Sequence, residues 1–345
     1  MEIPIVKLSP SLRSFVRKAL AAVVVFASAQ GMAVAQTVKF MDIPGTGNLL
    51  ARVAISKGYC KQNGLDCQLQ VIPAAPLGVQ AMMAGTIDSA IAPVDVMIGA
   101  VKNGTAMKMV VGGLASNLLV LVERNDIAGP NAGKPFPQFM QDLKGKKIGV
   151  IARGSSTETG IRYLFAKAGL NPDDATYVAV GGAVTAYNAL QSKQIDAAMI
   201  VEPVGSICEV SKTCRVVWRG ASDKDPSALY GLNGGNIGMV FMQKTITEKP
   251  DMIAAVIRSM READAFINNP VNFEEVVKIA TSYFKFDLAD GDAIMRSNLK
   301  QFIKDRTYST VIDRKAIAAG LTYLKDTKFD VGTIGVSDLV YDKAP

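Results

Sequence analysis

The chain has 345 residues, 49% hydrophobic and 20% charged, a balance that excludes disorder and a length that points to two domains rather than one core. Its 38 Lys and Arg against 31 Asp and Glu give a formal charge of +7, yet no basic run of the kind that grips nucleic acid is present. Histidine is absent, which removes Ser-His-Asp and Cys-His catalysis and any histidine general base.

The N-terminus reads as a leader. Lys7, Arg13, Arg17 and Lys18 precede an apolar run from Ala19 to Ala29, and Ala33-Val34-Ala35 follows. These are the basic region, short hydrophobic core and A-x-A site of a secretory signal peptide. The run is too short to span a bilayer as a helix, so cleavage is expected after Ala35 and residues 1–35 are left out of the fold. The leader takes four basic and one acidic residue with it, leaving 34 against 30 and a net charge of +4. So mild a field favours small anions. Nucleic acid is not an expected partner.

Export also implies an oxidising compartment. There Cys60 with Cys67 and Cys208 with Cys214 read as two local disulfides, each tying the end of a helix to the strand after it. Loops so short contribute about 2–3 kcal/mol apiece in the chain-entropy model. No C-x-x-C occurs and no histidine is available, so the cysteines do not read as a metal site. No metal or other cofactor is expected.

From Val38 onward one pattern occurs twice, the second copy displaced by 108 positions. In the first, a strand (Val38 to Ile43) meets the turn Pro44-Gly45-Thr46-Gly47-Asn48. A helix then ends at Asn63-Gly64-Leu65, a strand runs from Cys67 to Ile72, and Gln80 to Ile91 carries a helix into a short buried strand ending near Pro93. In the second, the strand is Lys146 to Ile151 and the turn is Ala152-Arg153-Gly154-Ser155-Ser156. Its helix ends at Ala168-Gly169-Leu170, a strand follows from Thr176 to Val180, and Asn188 to Met199 closes the copy near Pro203. Each copy is strand–helix–strand–helix–strand, the unit of a parallel sheet.

Asn117 to Arg124 leaves the first copy as a strand, and the Gly- and Pro-rich stretch Asp126 to Pro137 is a surface loop. After the second copy come Arg215 to Trp218, a polar loop, and Asn233-Gly234-Gly235-Asn236 leading into Ile237 to Met242. These two β-rich runs bracket the second copy and read as the crossings of a two-segment hinge. Amphipathic helices are expected over Met252 to Ile267, Val271 to Phe284, Ala289 to Ile303 and Ala316 to Leu324. The expected fold is an α/β clamshell, each lobe a mainly parallel sheet flanked by helices. Residues 36–121 with 237–345 would form lobe one and 122–236 lobe two.

Ligands of open α/β sheets sit beyond the carboxyl ends of the strands. Applied to both copies, that rule selects Gly45, Thr46, Gly47 and Asn48, then Pro93, Val94 and Asp95, and Asn117, all from the first lobe. From the second it selects Arg153, Ser155, Ser156 and Thr157, then Gly182 and Thr185, and Glu202, with Asn236 at the return crossing. Ser155-Ser156-Thr157 opens a helix, where hydroxyls cap and free amides with the helix dipole make an anion cradle. Thr46–Asn48 opens the matching helix, so two helix starts are expected to face each other across one carboxylate or sulfonate. Arg153 would add charge, or point to solvent. Glu202 would accept from a ligand amine or hydroxyl, or serve as a hinge-side carboxylate paired within the protein. Asp88 and Asp196 read as turn formers, and Tyr187 as a pocket wall or a helix-face core residue.

These residues carry a family resemblance. Gly45-Thr46 after the first strand, Ala84-Gly85-Thr86-Ile87-Asp88 before a short strand, and Leu143-Lys144-Gly145-Lys146-Lys147-Ile148-Gly149-Val150 leading to Gly154-Ser155-Ser156 are similar to the solute-binding proteins of nitrate/sulfonate/taurine-type ABC importers. Ile195-Asp196-Ala197-Ala198-Met199-Ile200-Val201-Glu202-Pro203 resembles a further segment of that family. The resemblance implies a type II periplasmic binding fold and a non-enzymatic, periplasmic receptor. Such a receptor holds a small organic anion, sulfonate or carboxylate, and delivers it to an inner-membrane permease with its ATPase. Where sulfonate and taurine binders often carry Trp-Asp-Pro, this chain has Val201-Glu202-Pro203, and its one Trp, Trp218, lies elsewhere. The alternatives are a sensor module with the same binding chemistry, or a relative that binds or makes a pyrimidine precursor.

Overall fold

A computed structural model describes residues 35–235 and 237–345; the leader expected over residues 1–35 lies almost wholly outside the described residues, as does Asn236. In the first half, β1 (Gln36–Asp42), α1 (Leu49–Ser56), α2 (Tyr59–Gln62), β2 (Leu65–Val71), α3 (Ala75–Met83), β3 (Ser89–Pro93), α4 (Val94–Lys102) and β4 (Met107–Leu114) follow in order. After β5 (Leu119–Arg124) the pattern repeats as β6 (Lys147–Val150), α5 (Ser156–Lys167), β7 (Thr176–Ala179), α6 (Ala183–Gln191), β8 (Ala197–Val201), α7 (Val204–Ser211) and β9 (Cys214–Arg219). The remainder comprises α8 (Ser227–Tyr230), β10 (Ile237–Met242), α9 (Gln243–Glu248), α10 (Pro250–Ile267), α11 (Phe273–Tyr283), α12 (Gly291–Lys304), α13 (Arg314–Asp326) and α14 (Val336–Leu339).

Two five-stranded sheets result, ordered β2-β1-β3-β10-β4 and β7-β6-β8-β5-β9. The two orders are the same order: second, first, third, an inserted strand, fourth. The inserted strand is the one that has crossed over. β10 lies antiparallel between β3 and β4, and β5 lies antiparallel between β8 and β9, whereas β1 with β3 and β6 with β7 and β8 are parallel. Residues 115–118 make one crossing between sheets and 220–235 belong to the other. All of β5 from Leu119 on belongs to the second sheet.

Strand side chains alternate between two apolar layers, as a sheet covered on both faces requires. Phe40, Met239 and Phe241 pack with α1, α10, α11 and α12 on one face of the first sheet, and Met41, Val240 and Met109 with α3, α4 and α13 on the other. In the second sheet Leu121, Ile148, Val150 and Trp218 face one layer, and Val120, Val122 and Ile200 the other. Helix α13 joins the two lobes. Its Ile317 and Leu321 belong to a first-sheet core, while Tyr323 packs into the second-sheet core, edge-on to Tyr163 at 5.1 Å between centroids.

The displacement of 108 survives as matched hydrogen bonds. The Lys39 amide donates to Asp88 Oδ2 at 2.9 Å, and the Lys147 amide donates to Asp196 Oδ2 at the same distance. Both aspartates thus do more than shape turns: each pins the first strand of its lobe to the loop before the third. The disulfides are Cys60–Cys67 and Cys208–Cys214, joining α2 to β2 and α7 to β9.

Candidate functional site

Between the sheets lies a cavity of about 170 Å3. The first lobe contributes Pro93 at the end of β3, Asp95 in the first turn of α4 and Ile237 at the start of β10. The second contributes Leu119, Val201 at the end of β8, and Ser156, the first residue of α5. The crossings add Asn117, Leu118 and Leu232, and α13 closes one wall with Gly320, Tyr323 and Leu324. The walls are largely apolar. Among the described residues the polar side chains are Asp95, Asn117, Ser156 and the Tyr323 hydroxyl, with no Lys or Arg.

Those polar groups differ in what holds them. Asn117 is fully engaged: its amide donates to Asn233 Oδ1 at 2.7 Å, its Nδ2 to the Leu229 carbonyl at 3.0 Å, and its Oδ1 accepts from the Leu119 amide at 3.1 Å. It fixes the crossing that brings Leu118 and Leu119 to the cavity. Asp95 accepts from the adjacent Val96 amide, at 2.9 Å. Burial pushes its carboxyl above the usual range, against the lowering effect of that backbone bond. Burial likewise pushes the Tyr323 hydroxyl up, helped by Tyr163 and Asp95.

The turn before α5 divides its labour among three adjacent hydroxyl residues. Ser155 caps the helix, its Oγ accepting from the Glu158 amide. Thr157 is wholly buried, and its Oγ1 accepts from the Ile151 amide at 3.0 Å and meets Ser155 Oγ at 2.8 Å. Ser156 alone faces the cavity. The first amides of a helix have no partner within it; with the Glu158 amide capped, those of Ser156 and Thr157 remain for a ligand. Glu158 would oppose an anion there, but Arg153 and Arg162 both pair with it at 3.0 Å. Burial raises its carboxyl, and the Gly154 amide with the two guanidinium groups outweighs that and holds it at about 2. Arg153 therefore serves the turn, stacked toward Tyr177, and does not line the cavity.

The matching turn of the first lobe is placed differently. Gly45 (φ +107°) gives its carbonyl to Arg52, whose guanidinium also clasps Asp42 in a buried pair at 3.0 Å. Thr46 is buried; its Oγ1 donates to Asn298 Oδ1 at 2.9 Å, and its carbonyl accepts from Tyr308 at 2.9 Å. Asn48 does not cap α1 but donates through Nδ2 to the Met41 carbonyl at 2.7 Å, while Gly47 approaches Leu114. None of these four lines the cavity. The helix starts that reach this cavity are those of α4 and α5, and that of α1 does not.

The other expected residues also separate. Pro93 and Asp95 line the cavity, but Val94 turns into the core of the first sheet. Gly182 caps α6, and Thr185 Oγ1 donates to the Gly182 carbonyl, both outside the cavity. Glu202 points away from the neighbouring Val201. It is 8% exposed, paired with Arg219 at 2.8 Å, and accepts from the Ser206 amide. Burial pushes its carboxyl up in spite of Arg219. Tyr187 accepts at its hydroxyl from Thr213 and is not a cavity wall. The α13 residues were missed. Nothing local marks Gly320, Tyr323 and Leu324, which continue an ordinary amphipathic helix; only the extra apolar width of its stripe hints at a second partner.

A family model described as the NMT1-like family matches residues 33–281. The chain belongs to that family. It is 27% identical over 245 residues to a Brucella abortus (strain 2308) protein named as a binding protein, covering 71% of this chain and 70% of that one. The fold is also that of the periplasmic aliphatic sulphonate binding protein SsuA from Escherichia coli (TM-score 0.68, 17% identity, 90% of this chain and 92% of that one). It is likewise that of the alkanesulfonate-binding protein SsuA from Xanthomonas axonopodis pv. citri bound to MOPS (TM-score 0.64, 17% identity, 89% and 97%). The chain accordingly has the periplasmic binding fold.

Proposed function

We propose that the chain is an exported receptor of an ABC importer, which captures a small organic anion between its lobes and delivers it to an inner-membrane permease. The supporting observation is the apolar cavity between the sheets, reached by the amino ends of α4 and α5. An apolar cavity of about 150 Å3 accommodates benzene, so this one takes the body of a ring-sized or short-chain molecule. The carboxylate or sulfonate then meets the Ser156 hydroxyl and the first amides of α5, where the helix dipole favours negative charge. Contacts to both lobes at once favour the closed arrangement, the only way a ligand can drive closure. The likeness to sulfonate binders and the leader-like N-terminus agree with a periplasmic receptor.

The apolar walls set the discrimination. Calorimetric titration and thermal shift should give binding of 4-methylbenzoate and toluene-4-sulfonate, with a raised midpoint by mass action. Sulfate and nitrate should leave the midpoint unchanged. Tight binding of the inorganic oxyanions, and none of the organic acids, would overturn the reading.

A further inference from the structure

Asp95 occupies a place in the cavity that an anion receptor has no evident use for. It sits in the first turn of α4, lines the space between the lobes, and is held by backbone amides of its own turn, that of Val96 at 2.9 Å. No cation pairs with it among the described residues, and no Lys or Arg lines the cavity. The surrounding walls are Pro93, Leu118, Leu119, Ile237 and Leu324. The buried carboxylates Asp42, Glu123, Glu158 and Glu202 each have an arginine partner: Asp42 has Arg52, Glu123 has Arg215, Glu158 has two arginines and Glu202 has Arg219. An ionised carboxylate is acceptor-only, and at the wall of an apolar space, half-buried and with no cation beside it, Asp95 keeps acceptor capacity for a donor.

Among the described residues no other polar side chain of the cavity is hydrogen-bonded to Asp95; the Tyr323 hydroxyl lies near enough to feel its charge but makes no hydrogen bond to it. Asn117 has its amide and both side-chain atoms committed to the crossing. Ser156, at the start of α5, belongs to the opposite lobe from Asp95. Two polar ends of opposite character therefore face one apolar space: free amides and a hydroxyl at α5, and an unpaired carboxylate at α4.

We infer that Asp95 is a specificity-determining residue that receives a nitrogen-bearing donor, an ammonium or polarised N–H, at the end of the ligand away from its acid group. The ligand class is an amino-substituted organic acid with an apolar middle. This deepens the receptor reading and rests on it for the acid end only; the Asp95 end stands by itself. A donor to an ionised group is worth enough to separate otherwise identical molecules by about tenfold or more.

The test uses 4-(aminomethyl)benzoate, 4-methylbenzoate, benzylamine and toluene as probes, titrated into the wild-type protein and the Asp95→Asn variant, with circular dichroism to check that the variant is folded. The inference expects 4-(aminomethyl)benzoate to bind wild type about tenfold or more tighter than 4-methylbenzoate, and that preference to vanish in the variant. Equal binding of the two acids by wild type, or a preference that survives in Asp95→Asn, overturns it while leaving the anion reading intact. Binding of benzylamine with Asp95 dependence, and of no acid, keeps the Asp95 assignment and overturns the acid end. Binding of none of the four overturns both. The wild-type comparison alone decides the matter if the variant does not fold.

Discussion

The turn after β1 and the turn after β6 occupy the same place in two copies of one unit, yet only the second reaches the cavity. Both carry a glycine at positive φ, Gly45 at +107° and Gly154 at +76°, where a side chain would be strained. Both are anchored by an arginine–carboxylate pair, but with the charges exchanged. In the first lobe the arginine is on the helix and fully buried, Arg52 clasping Asp42 at the strand end. In the second the carboxylate is on the helix, Glu158, and its arginines are 60% and 34% exposed. Arg52 in addition ties down the carbonyls of Ile43 and Gly45, and α12 covers Thr46 through Asn298. A turn braced from inside and roofed by another helix becomes scaffold; one capped by its own hydroxyls keeps a face for a ligand. Two equivalent positions of the repeat thus differ in packing, the first enclosed and the second open to the cavity.

The largest expected effect follows from that difference in burial. Removing one member of a buried ion pair leaves an uncompensated charge and costs about 3–5 kcal/mol, whereas an exposed pair is worth about 0–1 kcal/mol. Arg52→Met is therefore expected to lower stability by about 3–5 kcal/mol in urea unfolding, and Arg153→Met by less than about 1 kcal/mol. Equal costs would erase the distinction between an internally braced turn and a self-capped one.

The same contrast explains how far the sequence could be read. The repeat was legible because strand and helix periods, with Gly at helix ends and Asp before each third strand, depend on local chemistry. The four later helices fell where their apolar spacing put them, at Pro250–Ile267, Phe273–Tyr283, Gly291–Lys304 and Arg314–Asp326. The site was legible only in part. Pro93, Asp95, Asn117 and Ser156 were reached by the rule about strand ends, since that rule follows from topology. That Thr46 stands off the cavity could not be read, because its partners Asn298 and Tyr308 lie more than 250 positions away. Arg153, Thr157 and Glu202 also stand off the cavity, paired within the protein, and a charge or hydroxyl at a strand end does not announce whether its neighbours or a ligand will satisfy it. Tyr323 could not be found at all, because its role comes from α13 lying across both lobes.

An intermediate effect separates the two turns by pH. The Glu158 carboxyl titrates at about 2 in the folded protein, below the ordinary 4.5. Its stabilisation is therefore complete above pH 4.5 and is lost as pH falls toward 2. Because Arg153 and Arg162 are partly exposed, screening reduces the full linkage value to on the order of 2 kcal/mol. Wild type should exceed Glu158→Gln by about that amount at pH 6, and the gap should close as the pH approaches 2. A gap unchanged between pH 6 and pH 3 would mean that the carboxylate charge does not hold the second turn.

The smallest expected effect concerns what the two lobes still share. Asp88 and Asp196 each accept one strand amide at 2.9 Å and each is half-buried. Loss of such a bond costs about 1 kcal/mol, so Asp88→Ala and Asp196→Ala should destabilise by about 1 kcal/mol each. Asp196 should lose slightly more, because Arg124 lies 3.6 Å from its carboxylate while Asp88 has no such neighbour. The two clips belong to different sheets and share no partner, so the double variant should equal the two single losses within about 0.5 kcal/mol. Unequal single costs of more than about 1 kcal/mol, or marked coupling between them, would mean that the lobes have diverged in their first strands as well as in the turns that follow.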